Sequence, residues 1–197
     1  MGQRFQVLIE VDKNLLCYHC QWLWGEYATR RLGSFVWAIQ QKIKDGSKTG
    51  HGFDAMRETD KCMQWAFLHR LLDQNSIYPY FDDLVLSQKE LKEDKSIKDF
   101  LESLDNNNGQ FYLKIKNDKI IGYAFYNPKR GYNEAEDKNK GKLINWKEYL
   151  KDYKSEKLKD KFDKEQFDEF KRGERVFEKL QVIKKLPDIK DFIEEKQ

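Results

Sequence analysis

The sequence predicts an α+β protein: an antiparallel sheet built from two β-hairpins packed against helices, with a charged α-helical C-terminal subdomain. Three observations predict it. Two segments alternate apolar and polar residues and fold back at short polar turns, as hairpins do. Between them, apolar residues recur at three- and four-residue spacing, as on one face of a helix. Past residue 143 the chain is dense in Lys, Asp and Glu with scattered aromatics. The expected division is a core of two hairpins and three helices over 1–130, a polar loop over 131–143 and a helical subdomain over 144–197.

The first strand is RFQVLIEV, where Phe5, Val7 and Ile9 alternate with Gln6, Leu8 and Glu10. Asp12, Lys13 and Asn14 supply turn chemistry, and LLCYHCQW returns. A helix follows from Glu26 to Lys44, with Ala28, Leu32, Phe35, Val36, Ile39 and Ile43 in one stripe. The glycines of Asp45 to Gly52 are expected to end it in a loop. A second helix starts near Thr59 or Asp60 and runs through MQWAFLHRLL, apolar on several sides. YPYFDDLVL contributes a short strand. Ser96 and Asp99 resemble a capping box for IKDFLESLD, which Asn106 to Gly109 stop.

QFYLKIK and KIIGYAFYN form the second hairpin, turning at Asn117 and Asp118. Gly122 in its second strand marks a bulge or a close contact. The two hairpins share a leading Gly-Gln, an aromatic, an isoleucine and an Asp-Lys turn. That pattern fits a duplicated unit and equally fits two hairpins obeying one set of rules. In the tail, Tyr149, Tyr153, Phe162, Phe167 and Phe170 give helices a narrow apolar stripe, and Pro187 opens a last short helix.

Bulk properties narrow the function classes. The net charge is +3, without the basic excess that drives phosphate-backbone binding. Three cysteines and a charged N-terminus, MGQRFQVLIEVDK, point to a reducing, cytoplasmic setting. No stretch approaches the roughly 20 apolar residues of a membrane helix. There is no Walker loop, no dinucleotide-binding glycine pattern, no G-x-S-x-G and no H-E-x-x-H. The expectation is a protein without a cofactor, and more a binder than an enzyme.

Met1, Gly2 and Arg4 open a strand, and the return runs through Tyr18, His19 and Cys20 to Trp22 and Gly25. This order resembles a group of small uncharacterised bacteriophage proteins. It covers about an eighth of the chain. Leu23-Trp24-Gly25 follows Trp22 here, where that group has an acidic residue and a Tyr-Pro turn. The resemblance implies a phage-like origin and carries no activity with it.

Every Cys and His lies between positions 17 and 69: Cys17, His19, Cys20, His51, Cys62 and His69. Strand alternation puts Cys17 and His19 on one face, and helical spacing puts Cys62 and His69 on one side. Packed together, the four form a Cys2His2 zinc alternative. Against it, seven helical residues span about 10.5 Å, and buried cysteine is commonly a small core residue. Cys17 or Cys20 with His19, His51 or His69 is a nucleophilic alternative, needing hydrogen-bond reach between thiol and imidazole. Asp82 and Asp83 suggest a metal or phosphoryl site, and Asp54, Glu58 and Asp60 another, although paired carboxylates are frequent in surface turns.

The sharpest candidate is Trp37, which points away from the apolar stripe of its helix. Arg30, Gly33, Ser34, Gln41 and Lys44 fall around it. A large aromatic among basic and small residues suits a partner contact or base stacking. The competing reading is that the C-terminal helices cover it. Trp24 poses the same choice. The expected partner-binding set is Trp37, Arg30, Arg31, Gln41, Lys44 and Trp24. In the tail, Lys151, Asp152, Lys154, Glu156, Lys157, Lys159 and Asp160 alternate in sign, as on a solvated helix or a docking helix. The functional expectation is a phage-derived, non-enzymatic protein engaging a host protein or ribonucleoprotein complex, for example an anti-CRISPR-like inhibitor of a defence system. The alternatives are an RNA or single-strand binder and a Cys/His enzyme or zinc protein.

Overall fold

The structure is a computed structural model that describes residues 4–11, 14–21, 23–49, 108–117, 119–126, 141–153, 162–188 and 190. The strands are β1 (Arg4–Val11), β2 (Asn14–Gln21), β3 (Gln110–Lys116), β4 (Lys119–Tyr126) and β5 (Leu143–Ile144). The helices are α1 (Gly25–Thr49), α2 (Trp146–Tyr153) and α3 (Lys164–Glu178). The fold mixes sheet and helix, as the hairpin and stripe patterns predict. The expected helix at 59–72, strand at 78–86 and helix at 97–105 lie outside the described residues.

Both hairpins form. Val11 pairs with Asn14 across one turn, and Lys116 pairs with Lys119 across the other. Asn117 sits there with φ 49°, the left-handed conformation a tight hairpin turn needs. The sheet is not purely antiparallel, which corrects the sequence expectation. Its order is β2-β1-β3-β4-β5, and β1 and β3 run parallel at its centre. Hairpin signals set the pairing within each hairpin and say nothing of how the two meet. The long connection between them, which includes α1, allows the parallel approach. Parallel register then aligns two apolar rows, with Val7, Ile9 and Val11 beside Phe111, Leu113 and Ile115.

That face holds the core. Phe5, Val7, Ile9, Phe111, Leu113 and Phe125 are fully buried with Leu32, Phe35 and Ile39 of α1. The tail joins the same cluster through Trp146, Tyr149, Phe162, Phe170, Val176 and Phe177. Phe177 sits against Tyr123 at 4.6 Å between ring centres, and Tyr149 stacks on Phe125 at 4.4 Å. Burying several rings this way supplies a large share of the apolar area removed from water. The helices beyond residue 143 and the sheet therefore share one core.

Tyr149 also ties three elements by its hydroxyl. It donates to the Asn108 carbonyl at 2.9 Å and accepts from the Gly25 N–H at 3.1 Å. Burial pushes the Tyr123 phenol well above the ordinary tyrosine value; the charges of Glu148 and Glu178 add to this, and a backbone hydrogen bond at Trp146 opposes it. The second face of the sheet carries Gln6, Leu8, Glu10, Gln110, Tyr112 and Tyr126, all buried. Glu10 there accepts a hydrogen bond from the Tyr112 hydroxyl and pairs with Lys114 at 2.8 Å. A carboxylate so buried requires such partners.

One boundary moved. α1 continues to Thr49, although Gly46 and its neighbours were expected to form a loop from Asp45. A single glycine costs a helix only about 1 kcal/mol, which the preceding five turns outweigh.

Candidate partner-binding surface

The seam between α1 and α3 positions the candidate residues. α3 begins at a capping box: the Asp163 side chain accepts from the Gln166 N–H at 2.8 Å, and Gln166 accepts from the Asp163 N–H at 3.4 Å. It buries Phe170, Gly173, Val176 and Phe177 and leaves its charged side to solvent. The crossing with α1 is backbone against backbone. A Cβ on Gly33 would lie 2.2 Å from the Gly173 Cα, and one on Gly173 would lie 2.8 Å from the Thr29 carbonyl oxygen. Only glycine at both positions allows this approach.

A chain of contacts runs along the seam. Trp24 lies against Tyr27 at 5.7 Å, and Tyr27 meets Phe162 edge-on at 5.2 Å. The Arg30 guanidinium lies over Phe162 at 5.4 Å and pairs with Glu169 at 3.1 Å. Glu169 also faces Arg172 at 3.8 Å. The Arg172 guanidinium lies over the Trp37 ring at 4.8 Å. Three of the residues expected to bind a partner, Trp24, Arg30 and Trp37, lie along this run of contacts.

The expected residues separate into two groups. Gly33 lies against Gly173 of α3, Ser34 is buried, and Arg30 is 8% exposed with its charge engaged inside the chain. Arg30 is thus a seam residue and not part of an open surface. Farther along α1, Trp37 is 38% exposed and Lys44 is exposed, with Gln41 half-buried between them. Arg31 and Trp24 are half-buried. α3 covers the first half of this α1 face and lays one guanidinium on Trp37, so the indole is flanked and remains open.

Arg172 is the residue that sequence reasoning missed. It lies in a helix where Lys, Arg, Asp and Glu alternate, and nothing in that pattern separates it from its neighbours. With Lys164, Glu165, Asp168, Glu169 and Arg175 it lines a recess of mixed charge along α3. No excess of either sign appears in that set. The surface can offer an aromatic face, a fixed guanidinium and rim charges.

Cys17 and His19 stand opposite Leu8 and Gln6 in the β1–β2 register, and their side chains lie outside what is described. Cys20 stands opposite Phe5 in the same register, its side chain likewise outside what is described, while His51, Cys62, His69, Asp54, Glu58, Asp60, Asp82 and Asp83 lie outside the described residues. Among the described residues no group of three or more His, Cys, Asp and Glu side chains is placed to hold a metal ion. No described helix is long and apolar enough to cross a membrane.

No family model matches this chain, and neither a curated protein nor a solved structure matches it.

Proposed function

We propose that this chain is a non-enzymatic binding protein that engages a host macromolecular complex through the open end of the α1–α3 seam, with Trp37 as its anchor. The supporting observation is the indole itself. It is a large apolar side chain, 38% exposed, on a helix whose other described large apolar residues are buried or half-buried. Arg172 across its ring holds it in place and sets a charge beside it. Tryptophan and arginine are the residue types that dominate binding energy at protein interfaces. The phage-like opening of the sequence makes a bacterial host the first place to seek the partner, and inhibition of a defence complex is one form the activity takes.

The test is retention from bacterial host lysate by the wild-type chain, Trp37→Ala and Arg172→Ala, each confirmed folded. A partner held by the wild type and lost from Trp37→Ala supports the proposal. An anchor of this kind is worth about 2 kcal/mol or more, some thirtyfold in Kd. Equal retention by wild type and Trp37→Ala refutes it.

A second reading rests on the same stacked pair, since an indole beside a guanidinium also suits an unpaired base. Filter binding of single-stranded RNA over a salt series separates the two. Phosphate contacts give an affinity falling steeply with salt; the mixed charge of the rim predicts a shallow slope.

A further inference from the structure

Not every charge of α3 is compensated within the chain. From Glu169 to its end the helix carries three carboxylates, and each is taken. Glu169 pairs with Arg30 at 3.1 Å, Glu174 with Lys171 at 2.6 Å and Glu178 with Lys147 at 3.1 Å. Arg172 and Arg175, one turn apart on the same stretch, are left over. Arg172 has Glu169 near it at 3.8 Å, beyond hydrogen-bond reach, and its Nε has no acceptor among the described residues. Arg175 is exposed and enters no ion pair among the described residues.

Both arginines line the recess along α3, and the Trp37 ring under Arg172 fixes the plane of its guanidinium. A guanidinium lying flat on an aromatic face turns its N–H edge sideways, where a carboxylate can accept from two of them at once. The neighbouring Glu169 does not repel such a carboxylate strongly, because Arg30 already neutralises it.

We propose, on the reading of Trp37 as an anchor, that Arg172 and Arg175 are a carboxylate seat and that the partner meets the seam with an acidic peptide segment. An Asp or Glu side chain of the partner lies between the two guanidiniums, and an apolar side chain next to it lies on the open part of Trp37. A single carboxylate suits the recess better than a phosphate chain. It needs two cations and meets them, whereas a run of phosphates would pass Glu165 and Asp168 on the same lining.

The experiment selects short random peptides from a displayed library on the immobilised full-length chain, then measures the Kd of a selected peptide by fluorescence anisotropy. Selected sequences should carry Asp or Glu next to an apolar residue. Changing that acid to its amide should weaken binding to the wild type by about tenfold or more, the loss of hydrogen bonds between charged groups. On the folded double variant Arg172→Gln/Arg175→Gln the same change should cost about twofold or less, since the donors it would lose are already gone. Trp37→Ala separates the seat from the anchor. A peptide that needs Trp37 and is indifferent to the acid overturns the seat and leaves the anchor standing. A peptide that binds Trp37→Ala as well as the wild type overturns both. An acid effect that persists in the double variant puts the carboxylate elsewhere and overturns the seat. An empty selection also overturns it, and single-stranded RNA held through the two arginines would then assign them to phosphate.

Discussion

Replacing Gly33 with alanine tests the seam on which the candidate surface depends. The new Cβ would fall 2.2 Å from the Gly173 Cα, far inside any contact two carbons tolerate. The neighbour is backbone, so no side chain can swing away. α3 must move out by more than an ångström or α1 must bend. Overpacking of this kind costs about 1–3 kcal/mol, and a backbone neighbour places the change at the upper end. Alanine is also the better helix former, which offsets about 1 kcal/mol. The net is destabilisation of roughly 1–2 kcal/mol, or a fall of about 2–8 °C in Tm for a chain of this size. Gly173→Ala meets the Thr29 carbonyl oxygen at 2.8 Å, a milder clash, and should cost less. The double variant should cost less than the two singles added, because one outward shift of α3 relieves both. Urea unfolding at fixed pH and salt measures all three. A Gly33→Ala chain as stable as the wild type, or more stable by the propensity gain, refutes the close crossing.

Four further outcomes are expected. Tyr149→Phe removes the hydroxyl that joins the Gly25 N–H to the Asn108 carbonyl, and should lower the unfolding free energy by roughly 1–3 kcal/mol in urea. Glu169→Ala should destabilise more than Arg172→Ala, because it strips the carboxylate from a nearly buried Arg30 while Arg172 reaches solvent; thermal melts of the pair decide this. Trp37→Ala should stay within about 1 kcal/mol of wild-type stability, since it removes a part-exposed ring and one cation–π contact. Tyr123 makes stability fall at alkaline pH. Its phenol keeps its proton in the fold, where burial holds it above the ordinary value, while the unfolded chain releases it from about pH 10 upward. The contribution is complete below pH 10 and is lost above it at about 1.4 kcal/mol per pH unit. Comparing wild type with Tyr123→Phe in urea at pH 9, 10 and 11 isolates it, and parallel curves for the two chains would refute it.

What was legible in the sequence was local. Alternation in RFQVLIEV and QFYLKIK gave the strands, and Asn117 gave a turn whose φ of 49° needs such a residue. Ala28, Leu32, Phe35, Val36 and Ile39 of the expected stripe are buried as its spacing demands, and Ile43 is half-buried. What was not legible was joint. The parallel meeting of β1 and β3 has no signature in either strand, because each shows only which side is apolar. The tail read as a helical subdomain of its own for a similar reason. Phe162, Phe170 and Phe177 are sparse among charges, and sparse aromatics on a charged helix look peripheral until the sheet supplies their other half. Gly33 and Gly173 were the hardest to read. Each is a poor helix residue alone, and its use appears only when both are seen to touch.

The same geometry explains why Trp37 is open. Two readings competed for it: a recognition surface, or a residue covered by the tail. The glycine crossing pins α3 to α1 at Gly33, one turn before the indole, where Gly173 also meets the Arg30 carbonyl. Past that point the helices carry full-sized side chains, so their backbones cannot stay as close. The gap is filled from α3 by Arg172, a long, planar and charged side chain, 36% exposed itself. A leucine or phenylalanine there would extend the core over the ring. An arginine covers one face of the indole while keeping its own charge near water. That choice leaves the ring held and partly wet, which is the condition an anchor needs before a partner arrives. Arg172→Leu is therefore the sharper probe: it should close the patch, raise stability slightly and abolish binding, whereas a purely structural Trp37 would gain stability with no loss of any partner.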